Sequence, residues 1–328
     1  MKKRQKMNIS LFLISFTQVV TESLPISSSS HLRLVGYLLT LLGVPLPAIV
    51  RSPQWELFEH LLHIPTVIVV GFVIVRMQRP RNGYPQGYFP ALSRDPGDKN
   101  QWFFIHSLLP LIIATAVTVA CYYIKRSAWY VTAALCNLPT WLGLAITGGV
   151  LLATKWIGAK VMGPGSSPGK ERTTQTLPGL DPVSSYYGLL LKSTLIGLVQ
   201  GVALGPGLSR LGTTYGAGVF LGLGNLPALL FSFCLQFILM SGAIVRAVGK
   251  LFLLWCGATL HNLEGGEGIS LLTASFFSAQ NMLALILGGV IAYRLLLLVV
   301  RLVPRNRLWP LSIYLFALSG IWVMLNLP

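Results

Sequence analysis

The chain has 328 residues, 53% of them hydrophobic and 10% charged, with a mean hydropathy of +0.67. Soluble domains carry about 25% charged residues, so this composition excludes an ordinary soluble protein and specifies an integral membrane one. The 25 Lys and Arg against 9 Asp and Glu give a net charge of +16, but these bases sit mostly in loops and helix flanks, as membrane topology requires. No basic face recurs at helical spacing, which excludes a nucleic-acid reader.

Residues 1–157 form a first repeat. After the basic start K-K-R-Q-K, an apolar run from Ile9 to Val20 rises only about 18 Å as helix, too short for a core of about 30 Å. It passes through Glu22, Pro25 and four consecutive serines, Ser27 to Ser30, into a second apolar run from Leu32 to Gly43. Two half-length helices joined by a polar turn predict a re-entrant hairpin over 9–43, a shape tolerated only where it is buried in protein or lines a cavity. Spans are predicted near 61–75, 103–124 and 131–154, with a Pro- and Gly-rich loop over 79–100. A polar stretch at 158–182, G-P-G-S-S-P-G-K-E-R-T-T-Q at its centre, reads as a linker.

The second repeat, 183–328, opens as the first does. A hairpin over 187–223 turns at Gly205-Pro206-Gly207, and spans follow near 226–248, 282–303 and 308–327. Hairpin plus three spans therefore occurs twice. Because three is odd, the two hairpins enter from opposite faces and meet near the midplane, the inverted-repeat logic of many transporters. The expected fold is an all-α polytopic membrane protein with six spans and two re-entrant hairpins.

Ionisable groups at bilayer depth cost about 2.5–3.5 kcal/mol each on insertion scales, so Glu22, His31 and Arg210 mark a candidate site. Each hairpin's second helix starts after its turn and presents free backbone N–H groups and a positive dipole end, which suits an anion. Arg210 adds a planar fork for phosphate oxygens. Ser27 to Ser30, Ser209, Thr213 and Thr214 supply hydroxyls, one of them a candidate nucleophile, and Gly205, Gly207 and Gly212 allow backbone to approach a ligand closely. Glu22 repels phosphate, so either a divalent cation bridges the two or Glu22 accepts a proton beside His31. Gln18 lies one turn before Glu22 on the same face, and Glu59 and His63 are expected to share a helix face that completes the site.

These residues carry a resemblance to the undecaprenyl-diphosphate phosphatases, the bacitracin-resistance family, over nearly the whole chain. The first family motif appears as Gln18, Glu22, Pro25, Ser27, Ser28 and His31, the second as Pro206, Gly207, Ser209, Arg210 and Thr214, with Leu211 where the pattern has a second serine. The resemblance implies a bacterial inner-membrane enzyme that removes the terminal phosphate of a polyprenyl diphosphate and needs a divalent cation, Mg²⁺ or Ca²⁺. Carried over, Glu22, Ser27, Ser28, His31 and Arg210 are catalytic, Glu22 also being the candidate metal ligand. Gln18, Gly207, Ser209, Arg210 and Thr214 bind phosphate, and Glu59 and His63 support them. Implied partners are the lipid substrate and membrane lipids but no nucleic acid, and a homodimer is compatible with this. A rival from another class is a lipid-phosphate carrier without hydrolysis on the same scaffold. Denser Lys and Arg at 76–99, 155–172 and 301–307 put that side in the cytoplasm, whereas the basic N-terminus points the other way.

Overall fold

In hydrocarbon every backbone N–H and C=O must be satisfied within its own segment, which leaves helices as the simplest solution for apolar sequence. The structure is a computed structural model describing residues 9–78, 101–127, 138–162, 182–260 and 265–325, and it is helical throughout, with no strand among these residues. The helices are α1 (Ile9–Glu22), α2 (Ser28–Leu41), α3 (Trp55–Leu61), α4 (Ile64–Gln78), α5 (Gln101–Ser127), α6 (Thr140–Met162), α7 (Pro182–Val202), α8 (Arg210–Phe220), α9 (Asn225–Leu260), α10 (Gly265–Phe276), α11 (Ala279–Leu302) and α12 (Pro310–Met324). The expected loop at 79–100 and most of the linker at 158–182 lie outside the described residues, as does the start of the span expected at 131–154.

Among the described residues four segments are long and apolar enough to cross a membrane: Trp55–Met77, Thr140–Ile157, Asn225–Cys256 and Ala279–Arg305. Ile9–Glu22, Leu108–Ile124, Tyr187–Val202 and Pro310–Met324 are shorter apolar helices. Burial runs opposite to that of a soluble protein. Phe72, Val245, Leu253 and Phe277 are exposed, while Gln18, Glu22, Ser30, Ser209 and Thr214 are buried.

Three elements differ from the sequence expectation. The span placed at 61–75 starts earlier, at Trp55, and is broken between Leu61 and Ile64. Pro65 explains the break: it has no N–H to bond back to residue 61, and its ring crowds that carbonyl. Glu59 therefore lies in α3 and His63 in the turn after it, so the two do not share the face of one helix. The helix at 226–248 continues to Leu260, and its 36 residues rise roughly 54 Å, well beyond a core of about 30 Å. Finally, α10 occupies a stretch that the polar run around Glu264 and Glu267 hides from a hydropathy reading.

The chain forms two compact units, one of Met1–Ser23, Ser28–Gly71 and Phe237–Leu295, the other of Leu24–Ser27, Phe72–Gln236 and Leu296–Pro328. Each draws segments from both sides of the linker. In the first, α1 packs on α2. Gly288 admits α11 against α1, since a Cβ there would stand 3.1 Å from Val19 Cβ. Phe58 meets Phe276 edge-on at 6.3 Å.

In the second unit α5 packs on α7, α6 on α8 and α12, and α7 on α8, around Leu111, Ala114, Ile196, Ala217, Phe231 and Leu235. The turn between α7 and α8 is seated backbone to backbone on the start of α6. A Cβ on Gly143 would come within 2.5 Å of Pro206 O, and one on Gly207, whose φ of 79° already favours glycine, would collide with Thr140 O. The Thr147 hydroxyl completes the seat: it donates to Gly143 O at 2.9 Å and accepts from the Ser209 N–H at 3.1 Å.

Two substitutions test this seat by thermal unfolding in detergent. Gly143→Ala is expected to cost about 1–3 kcal/mol by overpacking, whereas Gly149→Ala in the same helix, facing open space, is neutral or gains up to about 1 kcal/mol from helix propensity. Indistinguishable midpoints would rule the seat out. Thr147→Val, which leaves the buried Ser209 N–H without an acceptor, is expected to cost about 1–3 kcal/mol, while Thr147→Ser keeps the oxygen and most of the stability.

Candidate active site

The apolar face of α1 carries a polar row that ends at its C-terminus. Gln18 and Glu22 are both buried, and Gln18 Nε2 donates to Glu22 Oε2 at 3.4 Å. Pro25 prevents α1 from continuing, and the chain reverses through Ser23–Ser27 into α2, whose first residue is Ser28. The Ser28 hydroxyl donates to the same Glu22 Oε2 in a short hydrogen bond. Two donors on one oxygen offset part of the cost of burying the carboxylate. An alcohol whose proton is held by a carboxylate has the relation of a nucleophile to its base. His31, buried on α2, lies one turn beyond Ser28 on the same side of that helix. Gln18, Glu22, Ser28 and His31 therefore belong to one unit and, apart from the turn, to one helical hairpin.

Ser27 belongs to the other unit, with the rest of the Leu24–Ser27 turn. There the Pro25 carbonyl stands 3.1 Å from the point where a Cβ on Gly212 would lie, so the turn of the first motif abuts the first turn of α8. A Cβ at Gly212 would be tight against the Pro25 backbone, whereas one at Gly207 would collide with that of α6.

Ser209 is the N-cap of α8, its Oγ accepting from the Gly212 N–H at 3.1 Å in extended backbone (φ −87°, ψ 115°). An accepting hydroxyl keeps its own proton to donate. Arg210 opens the helix and is half-buried, so its positive charge and the helix's positive end lie together, and both favour an anion. Thr213 and Thr214 return their hydroxyls to Ser209 O and Arg210 O, each at 2.7 Å. Thr214 must turn away from that carbonyl to bond a phosphate. Leu211, the departure from the motif, is 2% exposed and packs in the interior.

His63 is buried and Glu59 half-buried, separated by the turn before α4. Glu56 of α3 forms an ion pair: Arg246 Nη2 of α9 donates to Glu56 Oε1 at 2.9 Å and meets His60 Nε2 at 3.2 Å. At 47% and 58% side-chain exposure this is a surface ion pair worth little. Reasoning from sequence missed Thr147, whose only signal is a threonine one helical turn after a glycine. It also missed Arg246, which no local pattern links to Glu56.

Among the described residues no group of three His, Cys, Asp or Glu side chains gathers to hold a metal.

Comparison with known proteins matches the family described as bacitracin resistance protein BacA over residues 11–321. The undecaprenyl-diphosphatase of Treponema denticola is 28% identical over 314 residues, covering 94% of this chain and 97% of its own. Undecaprenyl-diphosphatase 1 of Shouchella clausii is 30% identical over 270 residues, 80% of each chain. The undecaprenyl-diphosphatase of Desulfosudis oleivorans is 26% identical over 325 residues, 95% of this chain and 96% of its own. This chain is a multi-pass integral membrane protein and belongs to the bacitracin resistance protein BacA family.

Proposed function

We propose that the chain is a hydrolase that converts undecaprenyl diphosphate to the monophosphate and inorganic phosphate, returning the lipid carrier to use in cell-wall synthesis, in the inner membrane of a bacterium. The observation that carries the reading is the Ser28 hydroxyl donated to buried Glu22, within a chain whose relatives bear the name of that activity.

In this mechanism Ser28 Oγ attacks the terminal phosphorus while its proton passes to Glu22. The bond to the bridging oxygen breaks and its electron pair leaves with the polyprenyl monophosphate. Water then cleaves the phosphoserine, releasing phosphate and restoring the serine. Arg210, the Ser209 hydroxyl and the positive end of α8 are assigned to phosphate oxygens, with Gly207 shaping their turn and Thr214 as a further donor. His31 is assigned to proton transfer beside Ser28, Ser27 to a donor in the turn, and Glu59 and His63 to support. A divalent cation on Glu22 and the diphosphate would neutralise their mutual repulsion.

We read α1–α2 and α7–α8 as re-entrant hairpins within a six-span inverted repeat. In support, α1, α2 and α8 have 14, 14 and 11 residues and rise roughly 21 Å or less, short of the core.

Purified protein is expected to release phosphate from undecaprenyl diphosphate with Mg²⁺ or Ca²⁺ and to stop in chelator. Full activity in chelator would remove the cation and leave Glu22 as base alone. Ser28→Ala is expected to lose at least on the order of 10²-fold in kcat and Ser30→Ala far less; equal, mild losses would favour direct attack by water. Arg210→Lys keeps the charge but not the fork, and is expected to cost on the order of 10²–10³ in rate with the fold retained. A carrier would bind the lipid with either residue and release phosphate with neither.

A further inference from the structure

Most buried hydroxyls on these helices return their proton to the carbonyl one turn back. Thr21 does so to Thr17, Thr118 to Ala114, Ser193 to Leu189 and Ser232 to Ala228, which is how such a group is usually satisfied. Ser15 in α1 departs from this pattern. It is 0% exposed, and its Oγ has no hydrogen-bond partner among the described residues. Gln18, 1% exposed, has an Oε1 in the same condition. Unpaired buried polar atoms are costly, and here one is a donor and the other an acceptor. Residues three apart on a helix are neighbours, and Glu22 lies one further turn along the same side.

The Gln18 amide needs something to hold it. A carboxylate only accepts, so the amide must present Nε2 to Glu22, and a flip would set Oε1 against a like charge. The Nε2 to Oε2 separation of 3.4 Å is long for such a bond, so Glu22 alone fixes the amide weakly. A donor on the Oε1 side is required, and the Ser15 hydroxyl is the one this helix face offers.

The geometry points to Ser15 as a positioning residue: its hydroxyl donates through one buried water to Gln18 Oε1 and so keeps Gln18 Nε2 on Glu22 Oε2, the oxygen that also receives the Ser28 proton. The hydrogen-bonded chain runs Ser15 to Gln18 to Glu22, with Ser28 joining from α2. It extends the site one helical turn before Gln18, where the first motif begins, to a residue that touches neither substrate nor cation. The inference rests on the reading of Glu22 and Ser28 as base and nucleophile.

The test is a double-mutant cycle on the purified full chain with undecaprenyl diphosphate in detergent, reading kcat, KM and the unfolding midpoint of Ser15→Ala, Gln18→Ala and the double variant. Ser15→Ala is expected to lower kcat about three- to tenfold, the worth of one hydrogen bond, with KM and midpoint unchanged. Ser15→Thr, which keeps a hydroxyl, is expected to recover most of the rate. In the Gln18→Ala background Ser15→Ala is expected to add nothing, because residues acting through one chain are not additive. Wild-type kcat in Ser15→Ala, or losses that simply add in the double variant, would overturn the inference while leaving the phosphatase reading intact. A loss that tracks a lower midpoint and is not recovered by threonine would make Ser15 a packing residue and overturn it equally. If the wild-type protein releases no phosphate, the functional reading fails and this inference fails with it.

Discussion

The carboxylate of Glu22, buried among apolar helices, is the constraint around which the first hairpin is built. A buried charge is costly unless it is hydrogen-bonded, and much of that cost must be recovered from hydrogen bonds. A single helix supplies only the neighbour one turn back, which is Gln18. The second donor has to come from another element. Pro25 ends α1, the chain reverses within a few residues, and the first residue of α2 delivers the Ser28 hydroxyl to Glu22. What stabilises the carboxylate and what activates the serine are thus one interaction, and removing either partner damages both.

The second unit meets a different requirement: a helix must begin in the protein interior with its first N–H groups satisfied. The α7–α8 turn does this by close backbone packing. Gly207 and Gly143 let two backbones touch, Thr147 accepts from the Ser209 N–H, and Ser209 caps Gly212. Arg210 is then set at the positive end of α8, where both charges favour an anion. The hydroxyls of Thr213 and Thr214 satisfy helix carbonyls, so in the resting protein they stabilise α8.

The membrane class, most helix positions and both motif turns were legible in the sequence, because hydropathy and the Pro-Ser and Pro-Gly turns are local signals. The break at Pro65 was equally local, but the apolar run around it hid the change from α3 to α4 and led to Glu59 and His63 being placed on one helix face. Thr147 and Arg246 could not be read from sequence, since a threonine in an apolar helix and an arginine in a long one are ordinary until their partners are known. Gly207 and Gly212 were noted as sites of close approach. What approaches them is backbone of α6 and of the Pro25 turn, a distinction that only packing reveals.

The most direct measurement of the central claim is phosphate release from undecaprenyl diphosphate by Glu22→Gln. The amide has the shape of the carboxylate and can still accept a hydrogen bond from Ser28, but it cannot take the proton. The account predicts a fall in kcat on the order of 10²–10⁴, the worth of a general base, in protein that keeps its unfolding midpoint. Turnover close to wild type in Glu22→Gln would contradict it, because the pair at the centre of the site would then be structural.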